Sequence, residues 1–176
     1  MSLSFHQIAF TPSVLAAQQR YNTRETMLPE DDGIPAVLGP EEIAFIAERD
    51  SFYLATVSET GWPYIQHRGG ARGFLRVVDA RTLAFADFGG NRQFITVGNL
   101  AQNDRVALFL MDYNRRARLK LLGRARIVNA GDDPSLAHQL TMPDYRARIE
   151  RLFLIRVVAF DWNCSQHITP RLGREE

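Results

Sequence analysis

The stretch that decides the architecture is Phe85-Ala86-Asp87-Phe88-Gly89-Gly90-Asn91-Arg92-Gln93-Phe94-Ile95. An apolar, β-prone run ends near Asp87, two glycines let the backbone turn tightly, and a polar run leads into a new apolar segment. The spacing predicts a short helix over 91–100. Helix N-termini present free N–H groups and a partial positive charge. Arg92 adds a permanent cation whose fork matches phosphate oxygens. Together these describe a phosphate cradle. The same residues also describe an Asn-capped helix with a surface arginine, and both readings stand at this point.

Working outward, 83–87 forms a hairpin with 74–78 across a turn at 79–82. Upstream, 52–57 and 63–68 are strands joined through Glu59-Thr60-Gly61, and Gly69-Gly70 interrupts the second. Downstream, 105–111 and 118–128 are long strands joined at Asn114. Asp133-Pro134 opens a short helix near 136–140, a last long strand runs over 152–161, and a tail closes at Pro170-Arg171. Toward the N-terminus, Thr11 caps a helix with Pro12 at its first position. Residues 20–39 read as an irregular polar arm. A second helix starts at Pro40, carries Glu41 and Glu42 in its first turn, and ends near Asp50. The expected fold is mainly β with peripheral helices. Tight turns make the pairing mostly antiparallel, and six or more strands with glycine-marked bends favour a barrel over an open sheet. The expected organisation is one globular unit, with an N-terminal helix and arm over 1–40 and the β domain over 41–176.

Composition bounds the function. The chain has 176 residues, enough to bury a core without staples. Its net charge of +1 shows no nucleic-acid-type excess. Lys120 is the only lysine, so any anion site here is built from guanidinium forks. Cys164 is the only cysteine, so no intramolecular disulfide forms, and a cytoplasmic location is the default. No apolar run approaches the ~20 residues of a membrane span, and residues 1–7 do not read as a signal peptide.

Three further segments can carry chemistry. Gly61-Trp62-Pro63-Tyr64-Ile65-Gln66-His67-Arg68-Gly69-Gly70 places Gln66, His67 and Arg68 on a strand just before glycines, where a bare backbone can approach a flat ring. The alternative is a solvated edge strand. In 114–126, alternation puts Arg118, Lys120, Leu122 and Arg124 on one face. That stripe faces an anionic ligand, nucleic acid or an acidic partner, or is solvated, and the RNA reading lacks the interleaved aromatics it would call for. In 160–171, Trp162, a polar run and Arg171 either close over a ligand or finish a strand whose Trp162 fills the core. The histidines and Cys164 show no zinc-ligand spacing, so no metal site is expected. No nucleophile elbow, Walker loop or dinucleotide fingerprint is present, and no catalytic residue can be assigned. A bound cofactor would have to carry any hard chemistry.

These segments, in this order over 41–171, resemble the FMN-binding family of pyridoxamine 5'-phosphate oxidase. The resemblance implies a split β-barrel of the FMN-binding type. Gly61-Trp62-Pro63 matches the family's turn into the flavin-lining strand, which implies Gln66, His67, Arg68 and Gly69 as cofactor contacts. Asn91-Arg92-Gln93 matches the family's phosphate-gripping Ser-Arg-Lys, with the lysine replaced by a neutral amide. Asp87 falls where the preceding strand touches the flavin. Counting back from Gly123 puts Arg118 at the position of a flavin-contacting glutamine, and Trp162 and Arg171 resemble the family's late tryptophan and arginine. The family's Arg-x-His substrate motif is absent from Ile168-Thr169-Pro170-Arg171, which argues against the namesake reaction. The ending Trp162-Asn163-Cys164-Ser165-Gln166-His167-Ile168-Thr169-Pro170-Arg171 resembles that of the broader pyridoxamine 5'-phosphate oxidase-related FMN-binding group. The implied protein is an FMN-dependent oxidoreductase of unknown substrate, working as a homodimer with the flavin at the interface, with no nucleic-acid or membrane partner. The alternatives are a non-enzymatic flavin or haem module of the same fold, and an empty barrel used for interaction.

Overall fold

The computed structural model describes residues 4–21, 36–142, 147–162 and 166–171. The chain runs α1 (Phe5–Ala9), α2 (Pro12–Tyr21), α3 (Pro40–Ala47), β1 (Ser51–Val57), β2 (Pro63–Gly69), β3 (Arg76–Asp79), β4 (Thr82–Phe88), α4 (Ile95–Gln102), β5 (Arg105–Asp112), β6 (Ala117–Asn129), α5 (Pro134–Gln139) and β7 (Ile149–Trp162). The strands form one seven-stranded sheet in the order β2-β1-β5-β6-β7-β4-β3. Every pairing is antiparallel. The sheet curls on itself but is not closed, which makes this a split barrel.

Alternation builds the interior. β1 buries Phe52, Leu54 and Thr56, and β6 buries Leu119, Leu121 and Ala125. Arg118, Lys120, Leu122 and Arg124 point the other way, as the period of two requires. An aromatic column locks the curl. Phe52 stacks on Phe74 at 5.6 Å and meets Phe85 edge-on at 5.4 Å, and Phe85 stacks on Phe153 at 4.7 Å. These contacts join β1 to β4 and β7 across the inside of the barrel. β4 is buried on both sides, because Ala84 and Ala86 face a second, smaller cluster with Leu136, Leu140 and Leu152 under α5.

Two differences from the sequence reading have clear causes. The helix α1 is closed by a Ser4/Gln7 capping box, with the Gln7 N–H donating to Ser4 Oγ at 3.3 Å. The signal Ser4-Phe5-His6-Gln7 was there to be read. The helix α4 begins at Ile95, not at Asn91. The Gln93 N–H donates to Asn91 Oδ1 at 3.2 Å, an Asx turn that competes with helix formation. Arg92 and Phe94 have φ of 59° and 53°, left-handed values that no right-handed helix continues through. Most of the arm, over 22–35, lies outside the described residues, as do Asn163, Cys164 and Ser165.

The sheet has one close approach that only glycine allows. The β6–β7 register shifts between Leu122 and Gly123. A Cβ on Gly123 would sit 2.7 Å from Ile155 Cγ2 and 2.9 Å from the Arg156 carbonyl oxygen. The second neighbour is backbone and cannot swing aside. Gly123→Ala is expected to lower stability by about 1–3 kcal/mol, the usual cost of overpacking, and denaturant melts would show it. A melt unchanged from the parent would mean that the bulge relaxes freely.

A buried ion pair fixes the end of α3 to the sheet. The Arg49 guanidinium donates to Asp112 Oδ2 at 2.9 Å and to the Met111 carbonyl at 2.9 Å. Burial pushes the Asp112 carboxyl up, but the Arg115 backbone N–H and the Arg49 charge outweigh it and hold it below the ordinary carboxylate value. A carboxyl depressed in this way adds stability that is full above its unfolded value near about pH 4. That stability is lost as pH falls through the lower folded value. Asp112→Asn is therefore expected to cost about 1.5–3 kcal/mol at neutral pH. It should also flatten the acid limb of the stability curve below about pH 4, so that parent and variant converge in acid. Melting curves between neutral pH and acid check both.

Candidate functional site

The seam of the split barrel is closed by side chains. β2 lies at one end of the sheet order and β4 next to the other end. Period two turns Tyr64, Gln66 and Arg68 of β2 inward, opposite Thr56, Leu54 and Phe52 of β1. Arg68 reaches across the seam and donates to Asp87 Oδ1 of β4 at 2.7 Å. Its guanidinium also sits over the Phe85 and Phe153 rings, at 5.6 and 5.1 Å. Gln66 accepts from the Thr96 hydroxyl of α4 at 2.7 Å, and Asn99 of α4 donates to Thr56 at 2.9 Å.

A cavity of about 230 Å³ opens at this seam. Its floor is Gln66, Arg68 and Asp87, and its rim is the 88–97 loop and helix start. Arg151 of β7 completes it. In the β4–β7 register Arg151 lies opposite Asp87, and its Nε donates to Asp87 Oδ2 at 2.9 Å. Arg151 is also paired with Glu150 at 2.9 Å and sits 4.9 Å over the Phe94 ring. One carboxylate thus holds two guanidinium groups, all three side chains being at least four-fifths buried. Arg92 differs from both. It is exposed on the rim, and no described residue pairs with it.

The strongest unsatisfied groups here are donors. Arg68 Nε is buried and has no acceptor among the described residues. Arg92 is an unpaired cation on a backbone held at positive φ, and such strain costs about 1–3 kcal/mol and clusters at ligand sites. An oxyanion at the rim would neutralise Arg92. The cavity therefore fits the phosphate end of a ligand such as FMN, with guanidinium forks as its donors. No group of histidine, cysteine or carboxylate side chains suited to a metal ion occurs among the described residues.

Of the residues singled out from the sequence, Gln66, Arg68, Asp87, Asn91, Arg92 and Gln93 line this cavity. The other five stand elsewhere. His67 points to the outer face, where it meets Tyr53 edge-on at 5.7 Å. Gly69 ends β2 opposite Ser51. Trp162 donates from Nε1 to Glu42 at 2.7 Å and packs edge-on against Phe45 at 4.8 Å, pinning α3 to the end of β7. Arg118 and Arg171 share a separate hollow on the outer face. Sequence reasoning missed Tyr64, Thr96, Glu150 and Arg151. Tyr64 was within reach, because it shares a face with Gln66. Arg151 carries no local signal, since only the β4–β7 register brings it to Asp87.

The profile of the family described as Pyridoxamine 5'-phosphate oxidase matches residues 38–159, so the chain belongs to that family. The match spans the seam and both of its strands but stops short of Trp162 and Arg171. Solved structures share the fold at low identity. A putative pyridoxamine 5'-phosphate oxidase from Lactobacillus delbrueckii superposes with a TM-score of 0.55 at 18% identity, over 72% of this chain and 94% of that one. An FMN-binding protein from Syntrophomonas wolfei gives 0.51 at 15%, over 68% and 82%. An F420 reductase gives 0.50 at 22%, over 70% and 98%. A search of curated protein sequences finds no match. No helix among the described residues is long and apolar enough to cross a membrane.

Proposed function

We propose that this chain is a flavoprotein that binds FMN with its phosphate in the 88–97 cradle and serves as an FMN-dependent oxidoreductase. The observation that carries the reading is the meeting of an unpaired Arg92, a buried donor on Arg68 and a glycine-bearing loop at one seam. When bound, FMN supplies electron- or hydride-transfer chemistry. The chain's own residues bind and orient. Arg92 neutralises phosphate charge, and Asp87 keeps Arg68 and Arg151 in place so that little is lost in ordering them. Gln66 and Thr96 offer polar groups beside the phosphate, and β2 up to Gly69 gives the ring a flat strand to lie along. The solved structures that share this fold include a protein described as FMN-binding, which supports FMN, and one described as an F420 reductase, which makes a deazaflavin the other candidate.

A cavity of about 230 Å³ is smaller than the ~300–1,000 Å³ of ordinary cofactor pockets. One chain then offers a grip for the phosphate end, with the ring extending beyond it. The outer face of β2, β1 and β5 is apolar, with Ile65 and Tyr53 exposed beside Ala55, Ala107 and Phe109, and it reaches Leu122 and Lys120 of β6. We take a second copy of the chain to cover this face, with the flavin at the interface. Any flavin contact from His67, Arg118 or Arg171 is then to the second copy's cofactor. A module that binds flavin without turnover is favoured by one fact, that among the described residues no histidine or cysteine lines the cradle.

The test is direct. The purified protein is expected to be yellow, and mass spectrometry of the released ligand should give FMN. A colourless protein that takes up no added FMN overturns the reading, and a deazaflavin mass corrects the cofactor. Reduction of the bound flavin by NADH or NADPH separates the enzyme from the passive module.

A further inference from the structure

Three neighbouring strands bring like charges side by side. Arg105 of β5 lies opposite Arg124 of β6, and Arg124 lies opposite Arg156 of β7. All three are exposed, as is Arg126, two residues along β6 on the same face, and Ala125 between them is buried. Residues directly opposite on adjacent strands stand about 4.5–5.5 Å apart at Cβ, so the row spans roughly 10 Å. Arg126 adds a point about 7 Å along the strand. Against these four guanidinium groups stands Asp104, which pairs with Arg124 at 2.7 Å. Arg105, Arg126 and Arg156 make no side-chain hydrogen bond, ion pair or ring contact among the described residues. The row continues to Thr82 of β4 and Asp79 of β3, but the Asp79 carboxylate accepts from the Arg81 backbone N–H of its own turn at 2.7 Å.

A missing partner does not set this row apart, since other exposed arginines share it. The register does. Like charges directly opposite each other destabilise a sheet. A rung nearer the other end of β6 shows the ordinary solution, with Lys120 opposite Asp161 and paired to it at 2.7 Å. The arginine row works against the fold that carries it, and an anionic partner would offset that cost.

We infer that this row is a docking surface for an acidic α-helix of a partner protein. Carboxylates three or four residues apart on a helix stand about 5–6 Å apart, which is the spacing of the arginines. Three of them at i, i+4 and i+7 cover about 10 Å of helix, the length of the row. Each guanidinium fork can take a carboxylate in two parallel hydrogen bonds. A nucleic-acid backbone fits less well, because the net charge of the chain is +1 and no aromatic stands in the row to stack a base. None of the four arginines lines the 88–97 cradle, so the surface does not rest on the flavoprotein reading.

A dye-labelled, alanine-based helical peptide with glutamates at i, i+4 and i+7, titrated with the full chain and followed by fluorescence anisotropy, tests the inference. The comparison is a peptide of the same composition with its glutamates spread around the helix. The first peptide is expected to bind more tightly, and its binding to weaken as salt rises. Arg105→Gln and Arg156→Gln should each weaken it about two- to fivefold, and together by roughly the product. Arg76→Gln, at an exposed position on β3, should leave it unchanged. In the free chain at low salt, Arg105→Gln and Arg156→Gln should keep or raise the melting temperature, since each removes a like-charged neighbour. Absence of binding, equal binding of the two peptides, or binding that ignores both substitutions overturns the inference. Duplex DNA held more tightly than the peptide through the same arginines also overturns it and makes the partner a nucleic acid. A change of oligomeric state in either variant on gel filtration would assign the row to an interface between copies instead. A melting temperature lowered by both substitutions would show that the row serves the fold, and the inference falls with it.

Discussion

Arg92→Ala is expected to weaken FMN binding by roughly 10–150-fold, the range of a lost charge-assisted hydrogen bond of about 1.5–3 kcal/mol. The fold should survive it. Arg92 is exposed and has no partner among the described residues, so its loss leaves no buried group unsatisfied. Its backbone makes a sharper experiment possible. At φ 59° an arginine is strained and a glycine is not. Arg92→Gly should therefore match or exceed the parent in thermal stability while losing FMN affinity as alanine does. Arg92→Lys keeps the charge but not the fork, and should fall between the parent and alanine. Fluorescence titration and melting curves on the three variants separate charge, fork and backbone. Unchanged FMN affinity in all three would mean that the phosphate sits elsewhere.

The largest effect on stability is expected at Asp87. Its carboxylate receives Arg68 at 2.7 Å and Arg151 at 2.8–2.9 Å, from strands on either side of the seam. Asp87→Ala leaves two mostly buried guanidinium groups without their shared anion. Breaking a buried pair in this way costs about 3–5 kcal/mol, because the remaining charge is uncompensated. Ligand should act in the opposite direction. With Asp87 gone, the cradle holds three cations against Glu150 alone, and an oxyanion takes over the lost role. Added FMN or inorganic phosphate should then raise the melting temperature more in Asp87→Ala than in the parent. A variant as stable as the parent, or one that phosphate rescues no more than the parent, would show that the triad is incidental.

The strands were legible because their physics is local. Alternation in 51–57 and 117–129, glycine at the turns and Pro63 at a strand start mark each element within a few residues. Pairing was less accessible. Nothing in 149–162 says that β7 lies between β6 and β4, since that choice is made by the aromatic column and the Gly123 approach. The site divides along the same line. Asn91, Arg92 and Gln93 form a contiguous run and could be read, whereas Arg151 joins Asp87 only through a register spanning more than sixty residues. The helix start was misplaced because an Asx turn and two left-handed residues delay it to Ile95, a backbone choice that residue identity marks weakly. Trp162 shows the converse. As an aromatic beside a polar run it looked free to meet a ligand, and its N–H is already given to Glu42.

The place of β7 has a bearing on how the protein comes into being. It follows both of its neighbours in the chain yet stands between them in the sheet. As the polypeptide emerges, the β1–β2 and β5–β6 hairpins can close on their own, but β4 has its long open edge unserved until β7 arrives. Pairing of such sequence-distant strands is slow, because the loop must close before any contact rewards it. Until then Asp87 lacks Arg151, and the cradle is only half assembled. A ligand of the proposed cradle would therefore meet its complete set of guanidinium groups only after β7 has docked.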